Sequence, residues 1–599
     1  MASGGGKTSR RTVTDKLGTE HMNTKTSHRL AGLMAALGAL AAAPGGAASP
    51  AHHYIVEAQS APTATRLVRN VGGRVARSLP IINAVMADLT PGQATALTRD
   101  GAHVYEDRAV TVSGSATSTT NSPGETYVAT VNGAASPPEI GATGLQLAGT
   151  TGAGVVIAVL DTGMSTYAHP YDYDGWSGRV IQEVDFAASN GATGWANVVD
   201  GYGHGTQITS VMGSAAKDVA GLPYGVAPGA QFIIVRAFNA NGSGSYSSVI
   251  SGLNWIVAHQ AKYNIRIVNL SLGATPQSTY WNDPLNQAVM KAWQAGIVVV
   301  AAAGNAGPAA QTIEAPGNVP YVITVGAMTD NYTPWNQSNW KLASFSSTGP
   351  TYEGFVKPEV VAPGGHVIGT MPNNTNQTTT LTSEIFGSAV NPVTLFPLSG
   401  TSQAAAVTSG AVALLLQSQP SLTPDQVKCK LMASAQPAVN PSNHLAYSIF
   451  QQGAGMINVL AANSTSALNC ANQGLNIAAD LAGTQHFGGA ANETANGTYY
   501  IMNMQSSTPF AADPSDGYSW SNSGPGSQGY TWSQAYLWTK GTTWSQAYLW
   551  TKSYTWSAST VWSQAYLWTK SLPFNSASTP SPASLSVTSA SVLFPAKEE

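Results

Sequence analysis

The chain predicts a three-layer α/β domain with a central parallel sheet, preceded by a small α+β module and followed by a β-rich tail of tryptophan repeats. Three observations predict it. Short, nearly continuous apolar runs recur at Val155–Leu160, Gln231–Ala237, Ile265–Leu270, Ile297–Ala303 and Val322–Val325. Such runs, without polar alternation, fit strands covered on both faces, as in parallel sheets. Helical stretches such as Ser247–Tyr263 and Asp283–Ala295 lie between them, and that alternation builds a layered α/β domain. Finally, tryptophan recurs every six residues at 532, 538, 544, 550, 556, 562 and 568. An even period puts these indoles on one face of an extended strand, whereas a helix would scatter them.

Taken in order, residues 1–49 read as a targeting segment. Lys25 and Arg29 precede the apolar stretch Leu30–Ala43, and the small residues of Pro44–Ser49 follow. A basic start, a short apolar stretch and small residues at a cut form a secretory signal. The stretch is short for a membrane span, which needs about 20 apolar residues. Residues 50–113 form the α+β module. Tyr54–Val56 and Val85–Leu89 read as strands, Ala64–Asn70 as a helix, and Thr90-Pro91 as the start of a second helix, with Thr90 as its cap. Val104–Asp107 closes the module. Residues 114–138, rich in Ser, Thr, Asn and Gly, read as a linker. Residues 139–465 carry the α/β domain, and residues 466–599 the extension.

Composition narrows the function. Of 599 residues 43% are apolar, enough for a large core, and the net charge is −3. Charged residues make up only 9%, against about 25% in an average globular protein. No basic field or module points to nucleic acid as a partner. Cys429 and Cys470 are the only cysteines. In an exported chain two cysteines imply one disulfide, and two buried thiols are the alternative.

Four short motifs carry chemistry. Asp161 ends an apolar strand in Asp161-Thr162-Gly163, at the strand end where α/β sheets place their sites. His204 lies in Gly203-His204-Gly205-Thr206, with Thr206 as the expected cap of a helix over Gln207–Ala216. Ser402 lies in Gly400-Thr401-Ser402-Gln403-Ala404 and opens the helix Ala404–Leu416. That places its backbone N–H at a helix N-terminus, which favours negative charge. Asn305 sits between Gly304 and Ala306, after a buried strand, with a carboxamide able to donate to an oxyanion. Asp, His, Ser is one of the chain orders that build an orienter–base–nucleophile triad. Alone, Asp161, Ser402 and Asn305 have ordinary explanations, a turn or capping Asp, a capping Ser and an Asn in a left-handed turn, and a zinc role for His204 lacks a His or Cys partner at ligand spacing. Ser402 lacks the Gly-x-Ser-x-Gly elbow of an α/β-hydrolase.

Asp-Thr-Gly, His-Gly-Thr, Ala-Gly-Asn and Gly-Thr-Ser-x-Ala, in this order, resemble the subtilisin-like serine proteases over residues 140–463. The module at 50–113, with its acidic pair Glu106-Asp107, resembles their inhibitory propeptide, and Gly453–Val459 resembles the end of their domain. The resemblance implies an endopeptidase made as an inhibited, self-processed precursor, with Asp161, His204 and Ser402 catalytic and Asn305 and the Ser402 N–H binding the oxyanion. It implies protein or peptide substrates, and the propeptide as an intramolecular inhibitor. The peptide would add as a strand between Asn241–Tyr246, with Gly242, Ser243 and Gly244, and Ser271, Leu272 and Gly273. Ala302, Ala303 and Gly304 would line the pocket beside the cut. With small residues and no buried charge, that pocket is expected to be apolar.

The chain departs from the family pattern at Gln207, Gln403, Ala405 and Ala406, none of which carries a proton in the mechanism. The loop Lys217–Tyr224 offers few carboxylates, whereas Ca²⁺ takes six to eight oxygen ligands. No cofactor is required and Ca²⁺ is weakly supported. The expected location is extracellular, released or held at the cell surface. For the tryptophan row, burial within a small β module competes with contact to a polysaccharide or cell surface.

Overall fold

The structure, a computed structural model, describes residues 50–113, 136–165, 175–218, 220–334, 336–372, 375–376, 393–440, 445–489, 491–493, 499–503, 508–509 and 542–544. The targeting segment, most of the linker and all of the tryptophan row except Trp544 lie outside the described residues.

The N-terminal module is an antiparallel sheet under two helices. Strands β1 (His52–Glu57), β2 (Arg74–Leu79), β3 (Ala84–Leu89) and β4 (His103–Glu106) run in the order β2-β3-β1-β4. Thr90 caps α2 (Pro91–Arg99) in a reciprocal box with Gln93, as its sequence predicts, and Ser60 caps α1 (Ala61–Asn70). Val56, Val68, Val85, Leu89 and Leu97 fill a core of their own beneath these helices. Ile55, Leu79 and Ile82 belong instead to the core of the following domain. The module therefore buries its second face against its neighbour. Ile81 N–H donates to Asn254 Oδ1 at 3.0 Å across that boundary.

The main sheet contains β6 (Val156–Asp161), β7 (Val180–Asp185), β8 (Ala192–Thr193), β9 (Gln231–Arg236), β11 (Ile265–Leu270), β13 (Val298–Ala302), β14 (Ile323–Thr329), β15 (Lys341–Leu342) and β16 (Val360–Pro363). β16, β14, β13, β11, β6, β9 and β7 are parallel to one another, and β15 and β8 are antiparallel edges. The sheet is thus mixed, a correction to a purely parallel one. Each predicted apolar run becomes one of these strands to within one or two residues, except that β14 continues past Val325 to Thr329. Helices α3 (His204–Gly213) and α6 (Thr401–Ser418) pack on each other and on the sheet, as do α4 (Tyr246–Tyr263) and α5 (Pro284–Gln294), giving three layers. Burial of each core Val, Leu or Ile contributes about 1.5–3 kcal/mol.

One ionic cluster lies inside this core. Glu359 Oε1 meets Lys357 Nζ at 2.6 Å and Lys428 Nζ at 2.8 Å, and all three side chains are buried. Glu359 Oε2 also accepts from Thr324 N–H at 2.8 Å. Cys429, next to Lys428, is joined to Cys470 in the expected disulfide. Beyond it Asp480 accepts from Tyr280 and Tyr321 hydroxyls at 2.6 and 3.0 Å, fastening the start of the C-terminal extension to the α/β domain. Further on, the strand His486–Gly488 pairs with the strand Thr542–Trp544.

Candidate active site

β6 is buried along its whole length and delivers Asp161 at its C-terminal end. Asp161 Oδ1 accepts from Thr162 N–H at 2.7 Å and from His204 Nδ1 at 2.8 Å, the second bond fixing the Nδ1–H tautomer. Both side chains are buried, so the pair is shielded from water. Gly205 is required at its place, because a Cβ there would clash with the Gly163 carbonyl.

The helix bearing His204 begins at His204 itself, earlier than predicted. Thr206 is not its cap. Asp200 does that work, accepting from Gly203 N–H at 2.6 Å and from the Thr206 N–H and hydroxyl at 2.8 and 2.7 Å. A carboxylate at this end satisfies donors the helix leaves open. Sequence reasoning passed over Asp200, although an Asp before a Gly-rich helix start is a capping signal.

Ser402 also lies further inside its helix than predicted, since α6 starts at Thr401. Its hydroxyl donates to the carbonyl of Ser113, at the end of strand β5 (Ala109–Val112). β5 lies between β10 (Ser243–Ser245) and β12 (Leu272–Gly273), antiparallel to both. Val112 N–H donates to Gly242 O at 3.1 Å and Ser113 N–H to Ser271 O at 3.0 Å. The two segments expected to bind a peptide therefore bind a strand of this chain, and Leu272 and Gly273 pair with Val112 and Thr111.

Asn305 Nδ2 donates to the same Ser113 carbonyl at 2.6 Å. Its Oδ1 is held by the Thr401 N–H and hydroxyl at 2.9 and 3.0 Å, which aims the amide. Gly304, at φ 106°, takes the left-handed turn here, not Asn305. The Ser402 N–H, expected as the second oxyanion donor, makes no hydrogen bond to Ser113 O among the described residues. The physical reason is that Ser113 O is still a trigonal carbonyl, whereas oxyanion donors are placed for the tetrahedral oxygen. His204 Nε2 and Asp161 Oδ2 are buried without a hydrogen-bond partner among the described residues. The serine–histidine link is thus open while Ser402 faces the carbonyl.

Two departures from the family pattern prove to be partners. Gln403 Nε2 donates to Gln207 Oε1 at 3.0 Å, and Gln207 Nε2 to Val367 O at 3.1 Å. They join the nucleophile helix to the histidine helix, a pairing hidden by their separation in sequence. Ala302 and Ala303 are buried at the end of β13, beside Gly304. The expectation of a pocket without charge is corrected: the Glu314 side chain lies against Gly273 and Gly304. In the loop Lys217–Tyr224, Asp218 Oδ1 accepts from Ala220 and Leu222 N–H at 2.8 and 2.9 Å.

A mixed α/β sheet with an Asp–His pair, a helix-borne serine and an amide on one carbonyl defines a subtilisin-like serine hydrolase. Residues 152–456 match the family described as the subtilase family, and the chain belongs to it. The serine protease AprX of Bacillus subtilis (strain 168) is 40% identical over 283 residues, which are 46% of this chain and 60% of that protein. The chain thus spans less than two thirds of AprX. Subtilisin DY of Bacillus licheniformis is 35% identical over 327 residues, 54% of this chain and 96% of the relative. Fervidolysin from Fervidobacterium pennivorans, a keratinolytic enzyme related to subtilisin, shares the fold with a TM-score of 0.55 at 23% identity, over 71% of this chain and 62% of its own.

Proposed function

We propose that the chain is a secreted serine endopeptidase that cuts itself between Ser113 and Gly114 and then acts on other proteins. The observation that carries this reading is the Ser113 carbonyl, held by Asn305 Nδ2 and faced by the Ser402 hydroxyl. His204 Nε2 takes the Ser402 proton as Oγ attacks the carbonyl carbon. Asp161 steadies the imidazolium, and Asn305, joined by the Ser402 N–H, holds the oxyanion. The proton on His204 passes to the departing Gly114 amine. Water then repeats the sequence on the acyl-enzyme, and a substrate strand follows the same path. No step calls on a cofactor, and calcium at Lys217–Tyr224 stays outside the reading.

After the cut, residues 50–113 remain an inhibitor, because β5 still fills the cleft. Asp107 supports that role. It accepts from Ser247 N–H and Oγ at 2.8 and 2.6 Å, at the N-terminus of α4. Arg108 meets Asp283 at 2.6 Å. Secretion rests on the basic and apolar pattern of residues 25–49, and no helix among the described residues is long and apolar enough to cross a membrane. The hexad tryptophans supply a separate proposal, contact with a polysaccharide or cell surface, tested by binding of segment 520–570.

The test follows the full chain and Ser402→Ala side by side. The wild type should shorten with a new N-terminus at Gly114 and digest casein, and the variant should do neither. A precursor that shortens equally in the variant would overturn self-processing.

A further inference from the structure

The Ser113 side chain, which precedes the proposed cut, lies beside the Glu314 carboxylate, which has no partner among the described residues. Hydrogen bonds to Asn305 and Ser271 fix the Ser113 backbone, and its side chain lies against Gly273. Ser113 is buried, and its Oγ has no hydrogen-bond partner among the described residues. Glu314 reaches the same space. A Cβ built on Gly273 would clash with Glu314 Oε2 and lie 3.0 Å from Ser113 Oγ. A Cβ built on Gly304 would lie 2.7 Å from Glu314 Cγ and 2.9 Å from Oε2. A side chain at either position would press on this carboxylate, which lies beside the Ser113 side chain at Gly273.

Glu314 is held firmly by its backbone. Its N–H donates to Ala303 O at 3.0 Å, and its carbonyl accepts from Asn318 N–H at 3.1 Å. Ile313 and Ala315 on either side are buried. Its side chain has no ion pair or hydrogen bond among the described residues, and burial pushes its carboxyl above the ordinary range. The expected wall residues Ala302, Ala303 and Gly304 carry no charge to compensate it. A partly desolvated carboxylate without a cation is costly to hold and attracts one.

We propose that Glu314 makes this pocket select a cationic side chain, lysine or arginine, on the substrate residue whose carbonyl is attacked. The assignment rests on the peptidase reading above. The chain's own Ser113 is short and neutral and leaves the carboxylate uncompensated. A substrate with lysine there gains an interaction that the propeptide strand lacks.

The experiment uses the mature enzyme with chromogenic peptide amides that differ only at that residue: Lys, Arg, Phe or Glu. The wild type should favour Lys and Arg over Phe by roughly tenfold or more in kcat/KM, a range typical of close charge pairs across an interface, and should reject Glu. Glu314→Gln should bring the Lys/Phe ratio close to one. In the wild type that ratio should rise with pH as the carboxyl ionises, a readout independent of whether the variant folds. A wild type that hydrolyses the Phe peptide, shows no preference for Lys and has a ratio flat with pH overturns the assignment alone. A wild type inert toward every peptide and toward casein overturns the peptidase reading, and this assignment with it.

Discussion

Two glutamates of this molecule are withdrawn from water and treated in opposite ways. Glu359 meets two lysine ammonium groups and a backbone N–H inside the core. Glu314, beside the cleft, meets no cation among the described residues. A carboxylate that stays ionised in the core needs such cations, and the buried Glu139 and Glu353, which meet none among the described residues, are pushed toward the neutral acid instead. At the cleft a proposed substrate can bring the cation. Unpartnered atoms also lie around the proposed cut. His204 Nε2, Asp161 Oδ2 and Ser113 Oγ are buried without partners, and the first two are atoms that the proposed proton transfer would use or support. Buried atoms without a partner also occur away from the cleft among the described residues, as at Glu139 Oε1 and Glu353 Oε2, so what sets Glu359 and Glu314 apart is the cation and not hydrogen-bond satisfaction.

The contrast can be broken in the core first. Glu359→Gln strands Lys357 and Lys428 without their counterion, and breaking such a buried cluster costs about 3–5 kcal/mol. Chemical denaturation should show a lowered midpoint with an unchanged slope, and an unchanged midpoint would mean the cluster is not the sealed unit described. In the cleft, Asn305→Ala removes the amide aimed by Thr401. Turnover should fall by about 10²–10³, a figure taken from the same family, while the folded protein keeps its denaturation midpoint. An equal loss in both measurements would make Asn305 structural instead.

The core cluster also makes stability depend on pH. Burial, opposed by Glu359, pushes Lys357 down to about 7 from an ordinary 10.5. Its folded value thus lies below its unfolded one, so between those two values the unfolded chain binds the extra proton. Stability must then rise with pH across that window, by at most about 1.4 kcal/mol per pH unit. Lys357→Met should remove that part of the slope when stability is compared between pH 7 and 10. A slope identical in the variant would return Lys357 to an ordinary value.

Much of this was legible in the chain, for reasons that differ by residue. Val156–Leu160 announce a buried strand because β-branched runs have few other uses, and Asp161 follows at its end. The capping box of Thr90 and Gln93 is local, so it reads directly. Cys429 and Cys470 had only each other to pair with. Glu314 was not legible: it sits in a loop, and its meaning depends on glycines 41 and 10 residues away in the chain, Gly273 and Gly304. Gln207 and Gln403 read as two separate departures, because a contact between helices leaves no mark in either segment. The Ser402 N–H was assigned to the oxyanion from its place at a helix start, but donors at that place meet a carbonyl only when its oxygen is in the right position.

The three-stranded ribbon of β10, β5 and β12 also bears on which proteins such an enzyme can cut. A guest must offer both backbone edges of an extended stretch at once, and must do so free of its own sheet or helix. A folded guest offers such a stretch only where it has locally melted. With melting fast relative to cutting, the rate of attack then follows the open fraction of the guest. A cleft of this shape measures the local stability of its guest before any side chain is read.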